Sequence, residues 1–108
     1  MAGSLPRNRG NRSTNRIASN VSRRLRNAGF NIAPASWRHN RQCATVRAAG
    51  DLVSVLFDHG VPGRNEYLAH QAWFMVGSWP QVSRAKVEPT EDGAVYVRFT
   101  YTPGGAPK

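Results

Sequence analysis

Apolar residues follow a helical period twice along this chain, and two strand-like segments come after each helical stretch. The first helix is predicted to begin near Ser13 or Thr14, and it carries one narrow apolar stripe: Ile17, Val21, Leu25 and Ala28. The second helix is predicted from Arg64 or Asn65 to Val76. A helix with a single apolar face must bury that face against another element, so this order of elements constrains the fold strongly.

Turn residues mark the ends of the elements. Gly29 stands where a left-handed residue closes a helix, and Phe30 follows in the position that contacts Leu25 in a Schellman ending. Runs of β-branched and aromatic residues predict four strands, joined in two pairs by short turns: 42–48 with 52–58, and 82–88 with 94–102. The order of elements is therefore α-β-β-α-β-β.

The predicted fold class is α+β, with a four-stranded, mainly antiparallel sheet and both helices on one face. This order is circularly permuted ferredoxin-like, since it results when the first strand of a β-α-β-β-α-β unit moves to the end. We expect the second and fourth strands to lie centrally and parallel to each other, because they are the two most apolar segments. Residues 1–12 are predicted as a disordered basic arm, 13–103 as a single domain and 104–108 as a frayed C-terminus.

Charge is distributed very unevenly along the chain. The fifty residues before Asp51 contain ten arginines and neither lysine nor acid, whereas five bases and six acids follow, so +10 and −1 sum to +9. A half this basic predicts an anionic partner, with nucleic acid the obvious candidate. Thirteen arginines against two lysines are also what a GC-rich genome produces, so the excess is not specific by itself.

The first helix has a basic face opposite its apolar stripe. At about 100° per residue, four arginines fall within about 80° of each other, and none is joined by an acid: Arg12, Arg16, Arg23 and Arg26. Arg7 and Arg9 of the arm would extend this surface, which we expect to contact the phosphates of DNA or RNA. A solvated helix face and a different anionic partner remain the alternatives. Arg24 falls near the apolar stripe and is assigned no role.

A loop after this helix adds three further candidates: Trp37, Arg38 and Arg41. Trp37 would either stack on a nucleobase or fold over the core, and the second is favoured because tryptophan buries a large apolar area. The sheet face away from the helices is another candidate surface, since Tyr96, Arg98 and Thr100 should point there; a half-exposed tyrosine is the simpler interpretation.

Several other classes of function find little support in the sequence. His39 and Cys43 lack the paired spacing of a zinc site, and Asp58 with His59 is a weak acid–base candidate, so we expect a non-enzyme without metal or cofactor. The single cysteine excludes an internal disulfide. No apolar run approaches the roughly 20 residues of a membrane span, so a cytoplasmic protein without a membrane partner is expected.

The segment SNVSRRLRNAGFN, followed by Trp37 and Arg38 and then a short hairpin and helix, resembles small proteins encoded by actinobacterial phages and prophages. The resemblance covers about residues 17–102 and implies an accessory protein in a bacterial cytoplasm, with no active-site motif to transfer. The leading hypothesis is a phage-type protein that binds nucleic acid. The rivals are a protein-interaction module that modulates a host factor, or a minor structural phage component. In the interaction module, the docking surface would consist of Trp73, Phe74 and Trp79; otherwise these residues would form a homodimer interface or part of the core.

Overall fold

The computed structural model describes residues 4–33, 44–59 and 62–104, with side chains of the first helix described from Arg16 onward. Six elements follow one another along the chain: α1 (Ser4–Asn27), β1 (Thr45–Ala49), β2 (Leu52–Phe57), α2 (Pro62–Val76), β3 (Val82–Pro89) and β4 (Val95–Tyr101). This order confirms the predicted α-β-β-α-β-β arrangement. No helix in these ranges is both long and apolar enough to cross a bilayer.

The four strands form one sheet in the order β1-β2-β4-β3, so the second and fourth strands are central, as predicted. Their expected parallel direction is wrong, because β2 and β4 pair antiparallel, with Val55 opposite Val97. The reason lies in the connection through α2. After α2, β3 runs in the same direction as β2 and lies two positions from it in the sheet. The β3–β4 hairpin then reverses the chain, so that β4 lies between β2 and β3 and is antiparallel to both.

The core lies between the sheet and both helices, on a single face. Alternate residues of the two central strands face it: Val53, Val55 and Phe57 from β2, and Val95, Val97, Phe99 and Tyr101 from β4. The helices contribute Ile17, Val21 and Leu25 from α1, and Ala69, Ala72 and Val76 from α2. Because the strands alternate with a period of two, their remaining residues face the other side of the sheet.

The start of α1 differs from the prediction, since the helix begins at Ser4 and not near Ser13 or Thr14. Residues 4–12, expected in a disordered arm, are part of its backbone. The sequence tolerates this because Pro6 falls in the first turn, where a missing N–H breaks no helical bond, and Gly10 costs only about 1 kcal/mol. Ser13 and Thr14, which can cap the start of a helix, therefore lie inside a longer helix.

The end of α1 is a Schellman motif, as predicted. The Phe30 N–H donates to the Leu25 carbonyl at 3.0 Å, and the Gly29 N–H donates to the Arg26 carbonyl at 2.9 Å. Gly29 has φ 103°, which a residue without Cβ adopts readily. The half-buried Phe30 then packs edge-on against Phe57, whereas Ala28, predicted in the apolar stripe, is exposed because it lies beyond the last helical residue.

A β-bulge in β3 changes which of its residues face the core. Ser83 pairs with Thr100 and Lys86 pairs with Arg98, so β3 holds one residue more than β4 between these pairs. Arg84 lies in the bulge at φ 58°, an αL conformation that costs a non-glycine residue about 1–2 kcal/mol. Because of this extra residue, Val82 before the bulge and Val87 after it both face the core.

Candidate nucleic-acid interface

The described part of α1 has a buried face and a basic face, as the sequence predicts. Ile17, Val21 and Leu25 are buried against the sheet, while Arg16 and Arg23 are exposed on the other side. The whole helix contains seven arginines and no acid. A solvated helix usually carries both signs of charge, so this face is complementary to a polyanion along its length.

Two arginines of this basic face differ in how free their guanidinium groups are. The Arg26 Nε and Nη2 donate to the carbonyls of Ile32 and Ala33, at 3.2 and 3.3 Å, and thereby hold the segment that follows α1. Within the described part of the chain, Arg23 donates to Asn20 of its own helix, at 3.3 Å and in an exposed position. Arg23 is therefore a cleaner probe of phosphate contact than Arg26, whose loss would also disturb the fold.

Arg24 belongs to the packing of the protein and not to the basic face. Its guanidinium carbon lies 3.8 Å from the centroid of the Trp79 ring, which is itself buried. Its Nη1 donates to Gln81 Oε1 at 3.0 Å and to Tyr101 Oη at 3.4 Å. These contacts join the C-terminal half of α1 to the far edge of the sheet through neutral partners and an aromatic face.

The early start of α1 changes the expected arrangement of the first arginines. At about 100° per residue, helical position 9 falls within the same ~100° sector as positions 12, 16, 23 and 26, whereas position 7 falls about 180° from position 16. The candidates of the following loop, Trp37, Arg38 and Arg41, lie outside the described residues. In a continuous helix, position 9 therefore lies on the side of the basic face and position 7 on the opposite side. In a disordered arm, Arg7 and Arg9 would be equally able to reach a phosphate.

A second basic row crosses the open face of the sheet, where strand register aligns Arg47, Ser54, Arg98 and Lys86. The sequence indicated Arg98 but missed Arg47 and Lys86. Alternation along β1 could have placed Arg47 there, because Val46 and Ala48 beside it pack against the core. Lys86 could not have been assigned, since the bulge at Arg84 reverses the alternation along β3.

The aromatic side chain on this open face is already covered. The Arg98 guanidinium carbon lies 4.2 Å from the Tyr96 ring centroid, and Arg98 Nη1 lies 3.2 Å from Glu88 Oε1. A base could stack on Tyr96 only after Arg98 moved away, and Glu88 would repel the backbone of the same strand. The open sheet face is therefore a weaker candidate than α1, which has no acid.

The two basic surfaces lie on opposite sides of the sheet. α1 packs on the core side through Val21 and Leu25, so its arginine face points away from the sheet on that side. Arg47 and Arg98 point to the other side. Because one straight duplex cannot contact both sides of a sheet, substitutions on each surface test each one separately.

The weak acid–base candidate at His59 belongs to a structural brace. Asn65, which is 2% exposed, accepts the His59 backbone N–H at 2.7 Å and donates to the Gly93 carbonyl at 2.9 Å. The His59 ring stacks on Phe57, with centroids 6.3 Å apart. Among the residues that the structure describes, no three His, Cys, Asp or Glu side chains are grouped as metal ligands.

The β3–β4 turn contains the Asp92 carboxyl, whose pKa lies below its ordinary value. Thr90 donates its hydroxyl to Asp92, and this bond lowers the pKa of the Asp92 carboxyl because it stabilises the charged form. The group is fully exposed and lies in a turn. It serves the turn and is not a candidate for binding.

Comparison with known proteins gives no family for this chain. No protein-family model matches it, and no curated protein or solved structure matches it either. The charge and geometry of its own residues therefore carry the functional conclusion.

Proposed function

We propose that this protein binds nucleic acid through the phosphate backbone, with the arginine face of α1 as the contact surface. One observation carries the proposal: α1 is a 24-residue helix without an acid, and its part from Arg16 onward buries one face against the sheet and exposes arginines on the other. The partner is DNA or RNA. The protein acts as a binding protein and not as an enzyme.

The length of α1 suits an extended contact. A helix of this length measures about 36 Å, roughly the length of ten base pairs of duplex, and a duplex carries about one phosphate charge per 1.7 Å. The arginine sector therefore faces a line of phosphates rather than one anion. The guanidinium group matches phosphate oxygens with two parallel hydrogen bonds, which favours phosphate over a diffuse anionic surface.

Contacts of this kind give affinity with little sequence preference, because phosphates are the same at every base pair. Neither basic surface presents an uncovered aromatic side chain in the described residues, so base stacking adds little. We expect similar affinities for unrelated duplex sequences of equal length. The phage origin implied by the segment from Ser19 to Asn31 stays a prediction.

The proposal is tested by fluorescence anisotropy with labelled duplex and single-stranded DNA and RNA over a salt series. Five contacts on duplex should give a slope of log K against log salt near −4.5, from about −0.9 per phosphate. The five predicted contacts are Arg9, Arg12, Arg16, Arg23 and Arg26, because helical position 7 lies on the opposite side of α1 from this face. An absence of binding at about 50 mM salt would show that the proposal is wrong.

A pair of single variants tests whether α1 binds as a continuous helix. Arg9→Gln should lower affinity on duplex, because position 9 shares the sector of Arg16 and Arg23, while Arg7→Gln should change it less. Equal losses in the two variants would mean that residues before Arg12 contact phosphates as a flexible arm. Both variants carry the same change of charge, so each is the control for the other.

A further inference from the structure

The outer side of α2 carries two exposed aromatic side chains that neither the core nor the proposed function uses. Phe74 is 78% exposed and Tyr67 is 62% exposed, the highest values among the large apolar residues that the structure describes. Both lie about 170° around the helix from the buried residues of α2. With Gln71 between them, whose Nε2 donates to the Tyr67 hydroxyl at 3.0 Å, they form the outer row of α2.

Two grooves flank this outer row and share Phe74. One has a volume of about 590 Å³ and is lined by Gly63, Tyr67 and Phe74 among others. The other has a volume of about 490 Å³, with Phe30, Phe74 and Met75 in its walls. Either groove is large enough to hold a phenylalanine side chain beside the outer row of α2. Exposed aromatic residues next to apolar grooves are typical of a protein interface.

We propose that the outer row of α2 is the interface of a homodimer, in which two copies of α2 pack antiparallel about a two-fold axis. Tyr67 and Phe74 lie at equal distances from the midpoint between His70 and Gln71. An antiparallel pair centred there places Tyr67 against Phe74 of the partner subunit, and the symmetry repeats the contact. A self-complementary patch of this kind is what a two-fold interface requires.

The charges at the ends of α2 also favour this antiparallel pairing. The helix has no acid in its first turn, where it carries Arg64, and no base in its last turn. A cation is unfavourable near a helix N-terminus and favourable near a C-terminus. In the antiparallel pair, each Arg64 lies beside the C-terminal turn of the other α2, near Ser78 of the partner subunit. Each copy thus supplies the charge that the other lacks.

The size of the patch indicates a weak dimer. Four aromatic side chains, each with more than half of roughly 200 Å² exposed, would bury about 500 Å². A standard stable interface buries about 1,200–2,000 Å², so the aromatic side chains alone cover less than half of such an interface, and further contact area must come from the groove walls. A dissociation constant in the micromolar range is therefore expected.

Salt should strengthen this association. The arginine face of α1 points away from the sheet on the same side as the outer row of α2, so dimerisation brings two basic helices nearer to each other. Added salt screens this repulsion between two copies of net charge +9, and this effect exceeds the screening of the two Arg64 attractions to helix ends. Salt weakens nucleic-acid binding instead. The opposite responses to salt separate the dimer from the proposed nucleic-acid binding, on which it does not depend.

Sedimentation velocity of nuclease-treated full-length protein, at about 10–200 µM and at low and high salt, tests the dimer. The wild type should associate with concentration and more tightly at high salt. Phe74→Ser should weaken the association about 30-fold or more, the effect of losing a central interface residue. Leu52→Ser is the matched control, because Leu52 is 59% exposed on the open sheet face and its loss should leave the association unchanged.

Cross-linking tests the position of the axis independently. In the Cys43→Ser background, Gln71→Cys should form a covalent dimer on mild oxidation, while Leu52→Cys should remain monomeric under the same conditions. A wild type that stays monomeric at every concentration and salt would overturn the proposal and leave the outer row to a different partner. Association that survives Phe74→Ser would overturn it as well.

Discussion

Two adjacent arginines of α1 should behave in opposite ways when each is replaced by methionine. Arg24 lies over Trp79 at 3.8 Å and donates to Gln81 at 3.0 Å, whereas Arg23 is exposed and donates to Asn20 at 3.3 Å. Methionine keeps much of the aliphatic stem but removes the guanidinium and its charge. The pair therefore separates an arginine that packs on the fold from one that we propose faces the phosphates.

The loss of stability in Arg24→Met can be worked from its contacts. A partly desolvated cation–π contact contributes about 1 kcal/mol, and a hydrogen bond to a charged donor contributes about 1.5 kcal/mol. The methionine side chain recovers part of this by packing on Trp79, so we expect a loss of about 2 kcal/mol. Arg23→Met should change the free energy of unfolding by less than about 0.5 kcal/mol, as for most exposed positions.

Urea unfolding followed by tryptophan fluorescence measures the first effect, and the salt slope of duplex binding measures the second. Arg23→Met should make the slope less steep by about 0.9, whereas Arg24→Met should leave it unchanged. An Arg24→Met protein as stable as the wild type would show that the contacts of Arg24 do not stabilise the fold. Equal changes of the salt slope in both variants would contradict the assignment of Arg24 as well, because Arg24 would then face the phosphates.

Three further predictions concern the sheet and its turns. Arg84→Gly should raise the free energy of unfolding by about 0.5–1 kcal/mol, because glycine adopts φ 58° without strain, and a decrease in thermal unfolding experiments would contradict this. Asn65→Ala should lower the free energy of unfolding by about 2–3 kcal/mol in urea, since the half-buried His59 N–H and Gly93 carbonyl both lose their hydrogen bonds to the Asn65 side chain. Thr90→Val should raise the pKa of Asp92 toward its ordinary value, as followed by NMR titration. Because the folded-state pKa of Asp92 is depressed, its contribution to stability is present above the ordinary pKa and is lost as the pH falls through the folded value. An unchanged Asp92 titration in Thr90→Val would exclude the Thr90 hydrogen bond as the cause of the lowered pKa.

Local signals in the sequence were sufficient for the elements and for one end of α1. Gly29 ends the helix because a left-handed residue is needed there, and alternation along β4 identifies its core face. Both are set by a few neighbouring residues. The start of α1 was less predictable, since Ser13 and Thr14 can cap a helix but also occur within one, and a poor helix former such as Gly10 costs only about 1 kcal/mol.

Long-range features could not be read from the sequence in the same way. The direction of β4 relative to β2 depends on where α2 and the last hairpin return the chain, and apolar composition carries no information about direction. The basic row on the open face depends on a bulge that one residue, Arg84, introduces. Arg24 falls near the apolar stripe, but its role could not be assigned, because its partner Trp79 is fifty-five residues away in the sequence.

We propose that phosphate contact is confined to the arginine face of α1. The most direct test of this proposal is the salt slope of duplex binding for two double variants with the same loss of charge. Arg16→Gln with Arg23→Gln removes two predicted contacts, and the slope should become less steep by about 2. Arg47→Gln with Arg98→Gln, on the opposite side of the sheet, should leave the wild-type slope. Equal changes of slope in the two double variants, or a larger change in the sheet variant, would contradict the account.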